Sequence, residues 1–264
     1  MLGAIIGDIV GSIYEFNNIR TKDFPLFSPN CFFTDDTVMT IAVFKALEQS
    51  KKFGYINLYN NTVKQMQKYG NMYPGRGYGG NFAVWLREKN PKPYNSFGNG
   101  SAMRVSPVAY FAKNIEEVKK LSYKVSSVSH NHPEGIKGAE ATAVAIWLAL
   151  QKQSKEEIKK HIEENYYNLD FDYNNLVQNY KFNEHCQDTV PQAIYCFLIS
   201  DSFEDCLRTS ISIGGDSDTL CAISCAIAEA YYGIPEDIKT MAISYLDQQL
   251  KNDLLLFNKF KEQK

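Results

Sequence analysis

Gly3-Ala4-Ile5-Ile6-Gly7-Asp8-Ile9-Val10-Gly11 is the stretch on which the reading of the fold turns. Its apolar residues, continued by Ile13, recur at helical rather than strand spacing. Its three glycines fall four apart, on one face of that helix. Each glycine costs roughly 1 kcal/mol against alanine in a helix interior, so three together need a cause. Close approach of a second helix backbone is the simple one.

The same period continues outward. Val38, Ile41, Ala42 and Leu47 mark a second helix, and a third falls at 59–69. Residues 134–151, rich in Ala, Ile and Leu, read as a fully buried helix. Further helices fit 155–164, 188–199, 203–213, 219–232 and 235–250, and the tail 251–264 reads as a last docked helix. Gly and Pro punctuate the joins at 74–80, 97–100, 214–215 and 233–235. The polar, Asn- and Tyr-rich patch 165–184 reads as a mobile loop or an irregular hairpin. With no alternating strands, repeats or low-complexity linker, the expectation is one all-α domain over residues 1–264.

Bulk properties bound the function loosely. The 264 residues are 44% hydrophobic and 22% charged, with a formal net charge of -2. That composition supplies a large core, no basic footprint for nucleic acid and no acidic tail. Residues 1–12 carry Asp8 and no leading Lys or Arg, unlike a secretory signal. The longest strongly apolar run, 141–150, is too short to cross a bilayer. The six cysteines form no Cys-x-x-Cys pair, and Cys221 and Cys225 fit buried thiols in a helix. A cytoplasmic monomer without membrane contact is expected.

Four segments exceed what a helical bundle requires. Glu15 closes the first helix as a carboxylate after an apolar face. Thr34-Asp35-Asp36-Thr37 precedes an amphipathic helix. Such residues cap helices at about 1 kcal/mol each, yet two carboxylates flanked by two hydroxyls also offer oxygen ligands to a cation. Gly214-Gly215-Asp216-Ser217-Asp218-Thr219 repeats that choice, because two carboxylates two apart converge on one ion as readily as they cap. The two clusters explain each other: unpaired aspartates brought together repel, and divalent cations reverse that sign. Ser96-Phe97-Gly98-Asn99-Gly100 opens a helix with free backbone N–H groups, either a plain turn or a phosphate site. His130 and His132, just before the buried helix, either cap it or meet a ligand.

Taken in order, these segments resemble the ADP-ribosylglycohydrolase family. The resemblance is carried by Gly7-Asp8-x-x-Gly11 with Glu15, Thr34-Asp35-Asp36-Thr37, Gly75-Arg76-Gly77-Tyr78-Gly79-Gly80, Gly98-Asn99-Gly100-Ser101-x-Met103-Arg104, Ser129-His130-x-His132-Pro133, Val190-Pro191-x-Ala193 and Gly214-Gly215-Asp216-x-Asp218-Thr219, across about residues 1–235. It implies a single compact, multi-helix orthogonal bundle with two divalent cations, Mg2+ or Mn2+. Matched residue by residue, it implies Thr34, Asp35, Asp36, Asp216, Asp218 and Thr219 as metal ligands. Glu15 and Asp36 are implied as catalytic carboxylates, and Ser96, Phe97, Gly98, Asn99, Gly100 and His130 as substrate contacts. Phe97 stands where some relatives carry a tyrosine. The implied reaction frees ADP-ribose from an acceptor on a protein or small molecule, arginine leading. Serine, nucleic acid and O-acetyl-ADP-ribose are the other acceptors. A non-catalytic ADP-ribose binder or structural homologue, and a different metal-dependent phosphohydrolase, are the rival readings.

Overall fold

In a computed structural model that describes residues 1–263, the regular secondary structure is helical, and an isolated bridge between Gly98 and His185 is the only β pairing among those residues. In chain order the helices are α1 (Leu2–Gly11), α2 (Asp35–Lys51), α3 (Leu58–Met72), α4 (Gly80–Trp85), α5 (Gly100–Met103), α6 (Pro107–Phe111), α7 (Ile115–Ser126) and α8 (Pro133–Leu150). They continue with α9 (Lys155–Asn165), α10 (Tyr173–Asn179), α11 (Cys186–Ile199), α12 (Phe203–Ser212), α13 (Ser217–Tyr232), α14 (Glu236–Ser244) and α15 (Gln248–Glu262).

Helix α13 is the hub. It is buried from Ser217 to Ala230 and packs against α1, α8, α11 and α12. Its tightest partner is α1, for a steric reason visible in the sequence. A Cβ added at Gly3 would lie 2.1 Å from the Cys225 carbonyl oxygen, one at Gly7 2.2 Å from that of Cys221, and one at Gly11 2.6 Å from Cα of Asp218. The glycine face of α1 lies directly on the backbone of α13.

Short polar side chains cap six of the remaining helices among the described residues. Asn114 caps α7, Ser202 caps α12 and Asp247 caps α15, each accepting from a backbone N–H three residues on. Ser154 and Glu157 form a reciprocal capping box on α9. Such caps contribute about 1 kcal/mol apiece.

Three local expectations change. The helix expected at 235–250 is two, because the chain turns at 245–247 and Asp247 starts α15 by accepting from Leu250 N at 3.0 Å. The patch expected as loop or hairpin contains α10, begun by Asp172, which accepts from Asn175 N at 2.7 Å. Helix α7 went unread, although its Val118, Leu121 and Val125 are all buried. The cysteines are free and buried, as expected. No helix among the described residues is long and apolar enough to cross a membrane.

Candidate active site

The first acidic turn is held from behind by Asp8. This carboxylate sits mid-way along α1 at 0% exposure and accepts four hydrogen bonds. Thr34 donates from N at 2.9 Å and Oγ1 at 2.7 Å, and Thr37 donates from N at 3.0 Å and Oγ1 at 2.5 Å. A buried anion needs that many donors to stay ionised. Burial still outweighs them and pushes the Asp8 carboxyl up to about 6. Thr34, pinned this way, N-caps α2 by accepting from Asp36 N. Asp35 and Asp36 then lie on the first turn of α2, with Asp35 N donating to the Arg76 carbonyl at 2.7 Å.

The second turn depends on two left-handed residues, Gly214 (φ 69°) and Gly215 (φ 80°). A side chain at Gly215 would also strike the Tyr180 ring, 2.3 Å from the added Cβ. Asn18 clasps Gly215 from both sides, accepting from its N at 2.8 Å and donating to its carbonyl at 2.9 Å. Arg20 donates to the carbonyls of Ile213 and Tyr180. The loop that carries Glu15 is thereby fastened to the turn that carries Asp216. Asp216 occupies the N-cap position of α13 but makes no cap bond; its Oδ2 accepts from Asn99 Nδ2 at 2.7 Å. Asp218 Oδ1 accepts from Thr219 N at 2.9 Å.

Both turns open on one cavity of about 250 Å³, lined by Glu15, Asp35, Asp36, Asp216, Asp218 and Thr219 among others. Carboxylate oxygens of Glu15, Asp216 and Asp218 lie within 4.8 Å of one another. Thr219 Oγ1 donates to Asp36 Oδ2 at 3.4 Å, so the two turns touch. Thr34 is buried beside the cavity wall rather than in its lining, its hydroxyl donating to Asp8.

No lysine or arginine forms an ion pair with these carboxylates among the described residues. Burial first, then mutual repulsion, pushes Glu15 up to about 8, with Asp218, Asp8 and Glu184 as the repelling groups. Burial also pushes Asp216 up to about 6. Asp35, Asp36 and Asp218 are held well above the ordinary carboxylate range by burial and by one another. Asp36 Oδ1 is buried without any hydrogen-bond partner. Crowded carboxylates, a lone orphaned oxygen and a nearby threonine hydroxyl are a donor set that fits a hard divalent cation.

The opposite wall is the glycine turn. Its backbone is fixed by Asn99 N donating to the Glu184 carbonyl at 2.7 Å and Cys186 N donating to that of Phe97 at 3.0 Å. Ser96, Gly98, Asn99 and Gly100 line the cavity. Phe97 does not; it turns outward against the rings of His132 (5.1 Å) and His185 (4.7 Å). His132 Nδ1 caps α8 by accepting from Glu134 N. His130 faces the cavity, with Nε2 3.3 Å from where a Cβ on Gly100 would sit.

Burial and Arg104 together set the state of His130. The guanidinium is 1% exposed, donates to Ser129 Oγ at 2.8 Å and reaches His130 Nδ1 at 3.4 Å. A guanidinium only donates, so Nδ1 accepts and the ring proton is assigned to Nε2, on the cavity side. Burial, then the charge of Arg104, holds His130 well below its ordinary range, hence neutral. Burial likewise lowers Arg104 to about 10. Its Nε has no hydrogen-bond partner, and it has no ion pair among the described residues. A buried cation facing a cavity in this condition suits an anionic ligand.

Asp8 and Arg104 stand in the sequence motifs without a role that the sequence alone assigns. A charge inside an otherwise apolar stretch was the available signal for both, because a buried charge needs partners. Glu184, which lines the cavity from the polar patch, carried no such signal.

The chain matches the ADP-ribosylglycohydrolase family over residues 1–260. It is 28% identical to the mouse (Mus musculus) ADP-ribosylhydrolase ARH3 over 89% of this chain and 83% of that one. It is 26% identical to the ADP-ribosylarginine hydrolase Tri1 of Pseudomonas putida (strain GB-1) over 96% of this chain and 76% of that one. The structure of an ADP-ribosylglycohydrolase-related protein complex superposes with a TM-score of 0.66 at 20% identity, covering 92% of this chain and 95% of that one, and shares its all-helical fold. With that match running through both acidic turns, the chain belongs to the ADP-ribosylglycohydrolase family, a family of glycosyl-bond hydrolases.

Proposed function

We propose that the chain, acting as one domain, hydrolyses the bond between the anomeric carbon of an ADP-ribosyl group and its acceptor, releasing ADP-ribose. The acceptor in this reading is an arginine side chain, which the printed activity of the Pseudomonas putida relative supports. The observation that carries the reading is the meeting of Glu15 and two acidic turns at one cavity, with no ion pair to any of those carboxylates among the described residues.

Thr34, Asp35, Asp36, Asp216, Asp218 and Thr219 would hold two divalent cations, Mg2+ or Mn2+. Such ions supply Lewis-acid polarisation of oxygen groups. The rest falls to the side chains. Glu15, half-buried beside Asp216 and Asp218, takes a proton from the attacking water, with Asp36 the alternative base. Water oxygen bonds to the anomeric carbon, the bond to the acceptor breaks, and the proton taken from water passes to the departing acceptor, which returns the base to its carboxylate form. The Ser96 to Gly100 turn and the buried Arg104 face the diphosphate. The Nε2–H of His130 donates to a ligand oxygen.

The test is ADP-ribose release from conjugates of arginine, serine, nucleic acid and O-acetyl-ADP-ribose, each with Mg2+, Mn2+ or chelator. Metal-dependent release of ADP-ribose is expected. Phosphate or AMP release with the glycosidic bond intact would sink the reading, and tight ADP-ribose binding without turnover would leave only a binder. Full turnover by Glu15→Gln would remove Glu15 as the base.

A further inference from the structure

Two exposed phenylalanines flank, along the chain, two carboxylates that line the cavity. Phe16, next in the chain to Glu15, is 79% exposed, and Phe182, two residues before Glu184, is 42% exposed. Their rings stack with centroids 5.8 Å apart and planes at 29°. Scattered exposed apolar residues are ordinary on protein surfaces. This pair is not scattered: its members come from distant segments, and each lies within two residues of a carboxylate that lines the same cavity.

Glu184 itself is exposed and makes no ion pair or side-chain hydrogen bond among the described residues. The segment 182–185 runs from the Glu15 side, where Phe182 meets Phe16, to the glycine-turn side, where His185 meets Phe97. In the reading proposed above, on which this inference rests, the diphosphate lies on the glycine-turn side and the bond to be cleaved lies at the carboxylates. The acceptor then extends toward Glu15, Phe16 and Phe182.

We propose that Phe16, Phe182 and Glu184 form an acceptor subsite that takes a planar cation, the guanidinium of an arginine side chain. A guanidinium is flat and stays charged, so it stacks on an aromatic face while donating two parallel N–H bonds to one carboxylate. A serine oxygen or an acetyl group uses neither feature. The unpaired carboxylate and the exposed rings match the first acceptor, whereas the others use neither.

The experiment compares a peptide ADP-ribosylated on arginine with one ADP-ribosylated on serine, using wild type, Glu184→Gln, Phe16→Ala and Phe182→Ala with Mn2+ present. All three side chains are exposed, and thermal melting checks that each variant folds. Wild type is expected to favour the arginine peptide. Glu184→Gln lowers the arginine-over-serine ratio of kcat/KM about tenfold or more, mainly through KM for the arginine peptide. Each phenylalanine variant lowers that ratio about two- to fivefold. Methylguanidine competes with the arginine peptide on wild type, and about tenfold less well on Glu184→Gln. A ratio unmoved by all three substitutions, or a wild type that prefers serine, overturns the subsite while leaving the hydrolase standing. Release of ADP-ribose from neither peptide, nor from the other conjugates, instead removes the hydrolase reading, and the subsite with it.

Discussion

Replacing Gly11 with alanine drives a methyl group into the backbone that carries Asp218. The new Cβ would lie 2.6 Å from Asp218 Cα and 2.6 Å from the Ser217 carbonyl oxygen, where ordinary contact begins at 3.4 Å. Both obstacles are main chain, so no rotamer change relieves them. Helix α1 and the first turn of α13 must part by about 0.8 Å, the difference between those distances. Overpacking of this kind costs about 1–3 kcal/mol, and the better helix propensity of alanine returns about 1 kcal/mol. The net loss is about 0–2 kcal/mol by that reckoning. The larger effect is on the site, because the shift is delivered to Asp218 itself. Misplacement by an ångström costs about a hundredfold in rate, so kcat/KM is expected to fall some tens-fold, with weaker Mn2+ binding. Gly3→Ala is the control. Its Cβ would lie 2.1 Å from the Cys225 carbonyl oxygen, but about 12 Å further along α1 at 1.5 Å per residue. It should cost at least as much stability and much less Mn2+ affinity. Urea melts, Mn2+ titration and ADP-ribose release decide the matter. A folded Gly11→Ala protein with wild-type Mn2+ affinity and rate would refute the reasoning.

Three further outcomes are expected. Asp8→Asn sets an amide N–H against some of four donors and costs about 1–3 kcal/mol; urea melts should show that loss, and Mn2+ titration weaker binding, because the Thr34 to Thr37 turn is no longer gripped. Asp36→Asn removes a repelled, buried carboxylate, so in chelator at pH 8 its Tm should exceed that of wild type, while Mn2+ no longer raises it. Glu15 and Asp216 have folded pKa values raised to about 8 and about 6, so without metal the folded state binds more protons than the unfolded one above about pH 4, and stability falls as pH rises through those values. The rise in Tm on adding Mn2+ should therefore be larger at pH 8 than at pH 6, and an equal or smaller rise at pH 8 would contradict the crowding of carboxylates.

Much of this was legible in the chain. The glycine spacing at 3, 7 and 11 announced a close helix contact, because only backbone approach rewards three unfavourable helix residues. It did not name the partner, since nothing local in α1 encodes the Cys225 and Cys221 carbonyls it lies on. Both acidic turns could be read as caps or as cation ligands, and the structure separates the two uses: Thr34 caps, while Asp216 leaves its N-cap function unused and turns to Asn99. Phe97 sat in a glycine-rich motif that pointed it at a ligand, yet packing against His132 and His185 turns it outward. Helix α10 was hidden because its seven residues bury little, with only Leu176 fully inside. Glu184 was invisible because an exposed carboxylate in a polar stretch resembles every other; only the fold brings it beside Glu15.

Helix α1 touches the two acidic turns at very different reach along the chain. Asp8 binds Thr34 from 26 positions away, whereas Gly11 accepts from the Ser217 hydroxyl at 206 positions. Closing the longer loop costs about 1.8 kcal/mol more in chain entropy by the logarithmic rule. A partly folded chain can therefore own the first turn while the second is still unattached. An ion held by both turns would bind the finished fold and not a chain with the second turn unattached, and would stabilise the finished fold by mass action.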